Sequence, residues 1–134
     1  MYIFEINMPP KPQKQTEAFF SKGKLGFRDP SKMTKKMIQW QVSPHAPKQL
    51  LRGPVEMHLT FYMPIPKHTS ATKRQAMLNN VIKHGIRPDL SNMQYLIENA
   101  LSGVVYVDDS QICRCMHEKR YGEHPKTVIK VFEV

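Results

Sequence analysis

Three aspartates stand closest to chemistry in this 134-residue chain. Asp89 lies in "RPDLSN", just ahead of a helical pattern, and Asp108 and Asp109 follow about twenty residues later in "VVYVDDSQI". Two carboxylates meeting at a helix N-terminus could hold Mg²⁺, a hard cation that takes oxygen ligands and keeps several of its waters. A metal held there would polarise a phosphoryl oxygen and activate water for in-line attack. The same residues have an ordinary reading. Asp after Pro is a common turn residue, Asp-Asp pairs are common in turns, and the helix between them could simply be well capped. From spacing alone both readings stand.

The distribution of charge bears on the choice. The chain carries a net +9. Residues 6–54 hold ten Lys and Arg against only Glu17 and Asp29, or +8, whereas residues 55–134 hold ten against eight acids, or +2. A cationic segment beside acids suits a protein acting on phosphodiesters, since lysines neutralise backbone phosphates and release counterions. A solvated surface loop would look the same. No apolar run approaches the roughly 18 residues of a membrane span, and the first residues lack the basic start of a secretory leader. A cytoplasmic location without membrane attachment is the expectation. Cys113 and Cys115 are the only cysteines. Zinc would need further ligands at suitable spacing, and none stands nearby. Their i, i+2 spacing predicts two packing thiols on one face of a strand.

The elements that must position the acids read as follows. "YIFEIN" predicts a first strand. Residues 9–30, rich in Pro, Gly and Lys, predict a long basic arm or loop, in which Phe19, Phe20 and Phe27 pack or stack. "DPSKMTKKMIQWQV" predicts a helix capped by Ser31, with Trp40 in the core. "PVEMHLTFYM" alternates cleanly, which predicts a strand with Val55, Met57, Leu59, Phe61 and Met63 inward and Glu56, His58, Thr60 and Tyr62 outward. "SATKRQAML" predicts a short basic helix capped by Ser70 or Thr72. "LSNMQYLIENAL" predicts the strongest helix, with Ser91 as N-cap, Gln94 completing a capping box, and an apolar face of Leu90, Met93, Ile97 and Leu101. "VVYV" predicts a short strand that returns antiparallel to the helix and carries Asp109 back toward Asp89. "QICRCMHEKRY" and "KTVIKVFEV" predict two more strands joined by "GEHP". The sum is α/β: a single-domain sandwich over 1–134 with a mixed, mostly antiparallel sheet and packed helices. Glycine-rich nucleotide-binding loops are absent.

"RPDLSN…ENALSGVVYVDDSQI" resembles the RusA family of Holliday junction resolvases, whose pattern runs K/R-P-D-x-D-N-L-x-K, then D-A-L-x-G, then D-D-x-Q-I/V. The match is close over about 26 residues, from Arg87 to Ile112, and a looser one extends over most of the chain. The resemblance implies a small homodimeric Mg²⁺-dependent endonuclease, with Mn²⁺ as a substitute, that binds four-way DNA junctions and cuts two strands near the crossover. Carried over by position, Asp89 and Asp109 are catalytic and metal-binding, and Asp108 assists. The family's second acid falls on Ser91, its lysine on Tyr95 and a further acid on Asn99. These positions are spaced i, i+4, i+8 and line one helix face. The acid, lysine and acid expected there are thus all neutral here. Ser91, Asn92 or, with a shifted register, Glu98 would complete the metal shell. Lys11, Lys14, Lys22, Lys24 and Arg28 would bind the DNA arms, and Lys83, His84 and Arg87 would contact phosphate beside the site. Either the protein cuts with a reduced set of acids, or it binds branched DNA and cuts poorly or not at all.

Overall fold

The computed structural model describes all residues from Met1 to Val134. Strand β1 (Tyr2–Ile6) leads into an extended arm and a hairpin, β2 (Glu17–Ser21) and β3 (Lys24–Arg28). Helix α1 (Lys32–Val42) follows, then β4 (Val55–Met63), α2 (Ala71–Leu78), α3 (Leu90–Leu101), β5 (Ile112–Tyr121) and β6 (Lys126–Glu133). The main sheet has the order β1-β6-β4-β5. β6 runs antiparallel to both β1 and β4, while β5 runs parallel to β4. Parallel neighbours need a long crossover, and residues 64–111, with α2 and α3, supply it. The mixed, mostly antiparallel sheet with packed helices is therefore as the sequence predicts.

The alternation in β4 sets the layers. Val55, Met57, Leu59, Phe61 and Met63 are all buried, and their neighbours on the other face are half-buried. The buried side packs against Ile38 and Val42 of α1 and Met93, Leu96, Ile97, Ala100 and Leu101 of α3, together with Phe4, Ile6, Ile129 and Val131. Each of these side chains other than Ala100 contributes about 1.5–3 kcal/mol by leaving water. Ser70 caps α2 by accepting from the Lys73 N–H.

Five local expectations are corrected. Residues 17–28 form a hairpin rather than a loop: Lys22 and Gly23 both adopt positive φ (52° and 76°), the geometry of a two-residue turn matched to strand twist. Trp40 is 70% exposed, because it lies about 200° around α1 from buried Ile38. Ser31 is buried but does not cap α1; its hydroxyl accepts from the Lys14 N–H at 2.9 Å. Asp89, not Ser91, occupies the N-cap of α3, and Gln94 donates to Glu98 instead of closing a capping box. "VVYV" is not a strand. Gly103 (φ 80°) turns the chain, Val105 and Tyr106 plunge into the core, and only single bridges to Leu51 and Ser102 form at Tyr106.

The cysteines also differ from expectation. A register shift between Val55 and Glu56 leaves Cys113 out of the ladder and exposed, with its thiol 3.4 Å from the Val55 carbonyl. Cys115 is half-buried against the core. Burial, with the Glu98 charge adding, pushes its thiol up to about 11.

Candidate functional site

The site grows out of the loop that enters α3. Lys119, on β5, donates to the carbonyls of Ile86 and Pro88 at 2.7 and 3.0 Å and fastens that loop to the sheet edge. Asp89 then takes extended backbone angles (φ −67°, ψ 135°) and starts the helix, its carbonyl accepting from the Met93 N–H. Its carboxylate caps nothing and pairs with no cation. The positive end of the helix favours a charge at this position. It opens into a cleft of about 570 Å³ lined by Pro10, Pro12, Arg87, Pro88, Asp89 and Asn92.

The arm is braced against the same helix turn. The Gln13 N–H donates to the Asn92 carbonyl at 3.1 Å, and the Gln13 amide donates to Asp29 at 2.9 Å. Asp29 also accepts from the Ser31 N–H and pairs with Lys35 at 2.7 Å. The Lys35 hydrogen bond, followed by those from Ser31 and Gln13, holds the Asp29 carboxyl below the usual carboxylate range. A depressed carboxylate stabilises the fold above its unfolded value, near 3.9, and loses that contribution as pH falls through the lower folded value. Asp29→Asn is therefore expected to lower the urea midpoint at pH 7. It should also flatten the decline in wild-type stability below about pH 4. An acid limb as steep as wild type would refute the assignment.

Tyr95 and Asn99 look onto this brace. They line a second cleft of about 340 Å³ with Gln13, Lys14, Gln15, Thr16, Asp29, Lys35 and Asn92. Ser91 is exposed one turn earlier.

Asp108 and Asp109 lie elsewhere. Asp108 caps a short 3₁₀ turn (Asp109–Gln111): its carboxylate accepts from the Ser110 N–H at 3.0 Å, and its own N–H donates to the Gln111 side chain at 2.9 Å. Hydrogen bonds from Ser110 hold its carboxyl low. The Gln111 amide donates to the carbonyls of Leu51 and Gly53 at 2.8 and 2.9 Å. The "DDSQI" element thus has a structural task that sequence reasoning missed. The Asp-x-x-Gln spacing of a capping box was its signal.

Asp109 faces the far end of α3. Tyr106 is fully buried and its hydroxyl donates to the Glu98 carbonyl at 2.7 Å. Its pKa is driven far upward by burial first, and then by the charges of Glu98 and Asp109. Tyr106 is thus the residue that feels both of these acids, and its hydroxyl fixes it to the Glu98 backbone. Glu98 is nine residues beyond Asp89, roughly 13 Å along the axis at the helical rise. The strand that returns past α3 is β5, and it brings Lys119, not Asp109, to the Asp89 end.

No group of three or more His, Cys, Asp or Glu in the chain is placed to hold a metal ion. A prebuilt three-carboxylate cage does not fit these residues. A looser arrangement does fit. Mg²⁺ is commonly held by one or two carboxylates with substrate phosphates and water completing its shell, and Asp89 is an uncommitted carboxylate on an open cleft.

Of the expected DNA contacts, Lys11, Lys14, Lys22, Lys24, Arg28, Lys83 and Arg87 are exposed. His84 is not. It is buried, its ring 5.0 Å from that of Tyr121. Burial, then the Lys119 charge, lowers its pKa and favours the neutral ring. As placed, it presents no cationic face to phosphate; the end of β5 covers it.

A free acid at a helix start, a basic arm braced to that start and a mixed sheet behind them make up a small α/β domain. The family model of endodeoxyribonuclease RusA matches residues 7–132, and the chain belongs to that family. It is also similar to the uncharacterized protein YqaN of Bacillus subtilis (strain 168). The two are 30% identical over 135 residues, covering 98% of this chain and 95% of that protein. No helix here is long and apolar enough to cross a membrane.

Proposed function

We propose that the protein is a structure-selective endodeoxyribonuclease that resolves four-way (Holliday) junctions in DNA recombination and repair, as a cytoplasmic homodimer. The observation that carries this reading is the uncommitted Asp89 carboxylate. It opens onto a cleft beside Arg87 and the braced arm in a chain of the RusA family. An anionic carboxylate repels a phosphate unless a cation stands between them. Mg²⁺, or Mn²⁺ in its place, would be held there by Asp89, with Ser91 or Asn92 as neutral oxygen donors, and the DNA phosphate would complete the shell. When bound, such a metal supplies polarisation of the phosphoryl group and an activated water. Arg87 and Lys83 draw the backbone to the cleft, and Lys11, Lys14, Lys22, Lys24 and Arg28 hold the arms of the junction. Asp109 with Glu98 forms a second acidic region at the other end of α3, and Asp108 acts through the turn it caps.

A second reading is favoured by the neutral face at Ser91, Tyr95 and Asn99: a RusA-type protein that binds branched DNA and cuts little or not at all. The two separate in one experiment. A synthetic four-way junction is incubated with the protein in Mg²⁺ or Mn²⁺, with Asp89→Asn as the control. Symmetric nicking that the variant abolishes supports the nuclease. Tight, salt-sensitive binding without nicking in either metal would leave only the binder.

A further inference from the structure

The β2–β3 hairpin has two unlike faces. The register pairs Ala18 with Phe27 and Phe20 with Leu25, so these four share one side. On it Phe20 is 79% exposed, Phe27 67% and Leu25 55%. The other side carries Phe19, whose ring lies across Gly26 so closely that a Cβ there would collide with it at 2.5 Å. It also carries the Arg28–Glu17 pair at 2.7 Å. One face is thus spent on stiffening the hairpin, and the other is bare hydrocarbon.

A lone two-stranded hairpin is marginal in water, and a continuous exposed apolar face marks a contact surface. The surroundings identify the contact. Lys22 and Lys24 stand at the tip and Lys11 and Lys14 along the arm, while Glu17, the one acid in residues 9–28, is tied to Arg28. A surface that combines flat apolar faces with dense negative charge is unstacked nucleic acid, where aromatic side chains stack on bases and lysines track the phosphates.

We infer that the hairpin is a wedge: Phe20 and Phe27, with Leu25 beside them, enter the open centre of a branched DNA and stack on the bases exposed there. The wedge is aimed by its root, where Gln13, Asp29 and Ser31 tie the hairpin's two ends together. It accounts for how a small domain distinguishes a branch point from plain duplex, which offers phosphates but no open base faces. The inference rests on the DNA-binding reading above.

The test uses the full chain and a Phe20→Ala/Phe27→Ala variant, a four-way junction with 2-aminopurine at the crossover pairs, and a linear duplex of matching sequence. Wild type is expected to raise 2-aminopurine fluorescence on binding the junction. The variant is expected to lose that rise and roughly tenfold or more of its junction affinity, with duplex affinity, carried by the lysines, within about twofold. Its sedimentation should match wild type. Unchanged junction affinity and fluorescence in the variant overturn the wedge while leaving DNA binding intact. A variant that sediments as a smaller species assigns the face to a second copy of the chain and also overturns it. Wild type that binds neither DNA removes the functional reading itself.

Discussion

Asp89→Asn is expected to lower junction nicking by at least about a hundredfold, with junction affinity unchanged or improved. The two effects separate for a physical reason. Asparagine keeps the shape of aspartate and is an equally good N-cap residue, and the native side chain makes no hydrogen bond that the variant would lose. The fold should therefore survive. What disappears is the charge that attracts a divalent cation, along with the repulsion that this charge exerts on phosphate. Nicking rates and gel-shift affinities measured on one preparation check both halves. Parallel losses of binding and cutting would point to damage at the cleft rather than to a missing metal ligand.

The reciprocal change sharpens this. Ser91 is exposed in the first turn of α3, where an added acid gains about 0.3–1 kcal/mol from the helix end. Ser91→Asp should therefore fold, and it should raise Mg²⁺-dependent nicking about tenfold or more if that position is the missing ligand. No gain would mean that the shell is completed elsewhere.

The largest stability effect is expected at Tyr106. It is fully buried, its ring belongs to the core cluster, and its hydroxyl satisfies the Glu98 carbonyl. Tyr106→Ala deletes an aromatic ring and should cost about 3–5 kcal/mol, out of a total of about 5–15 kcal/mol for a typical domain. The melting temperature should fall by more than about 10 °C. Tyr106→Phe removes only the hydroxyl. The Glu98 carbonyl keeps a hydrogen bond from Ser102 at 3.2 Å, so the loss should be about 1 kcal/mol. Urea unfolding of the pair separates packing from hydrogen bonding. If the two variants were equally unstable, the ring would not be the anchor of the 103–107 turn.

What the sequence made legible follows from how local each signal is. The alternation of β4 names five inward residues, and all five are buried. Period-two burial is decided strand by strand. The existence of α3 was equally plain, but its cap was not, because Asp89 and Ser91 are both good N-cap residues and the backbone chose the earlier one. "VVYV" has the composition of a strand and becomes a buried turn, since Gly103 reverses the chain where Leu51 offers only a single bridge. The pairing of Asp89 with Asp109 depended on that misread strand. Where those acids end up is a tertiary matter: Asp89 occupies the N-cap of α3, whereas Asp109 opens the 3₁₀ turn that leads into β5. The hairpin is hard to read because Ala18, Phe19 and Phe20 are consecutive in β2, so period-two alternation is missing from one of its two short strands.

The brace at Asp29 has a consequence for how such a protein can diverge. Gln13 and Lys14 at one end of the segment, and Asp29 and Ser31 at the other, are tied by hydrogen bonds of 2.9 Å. Everything between them leaves and re-enters the body at a single point. A closed excursion of that kind can lengthen, shorten or be exchanged at small entropic cost, about 0.6 kcal/mol for a doubling, without moving α1, α3 or the cleft at Asp89. The segment can thus be exchanged as one unit while the scaffold and its acids stay in place.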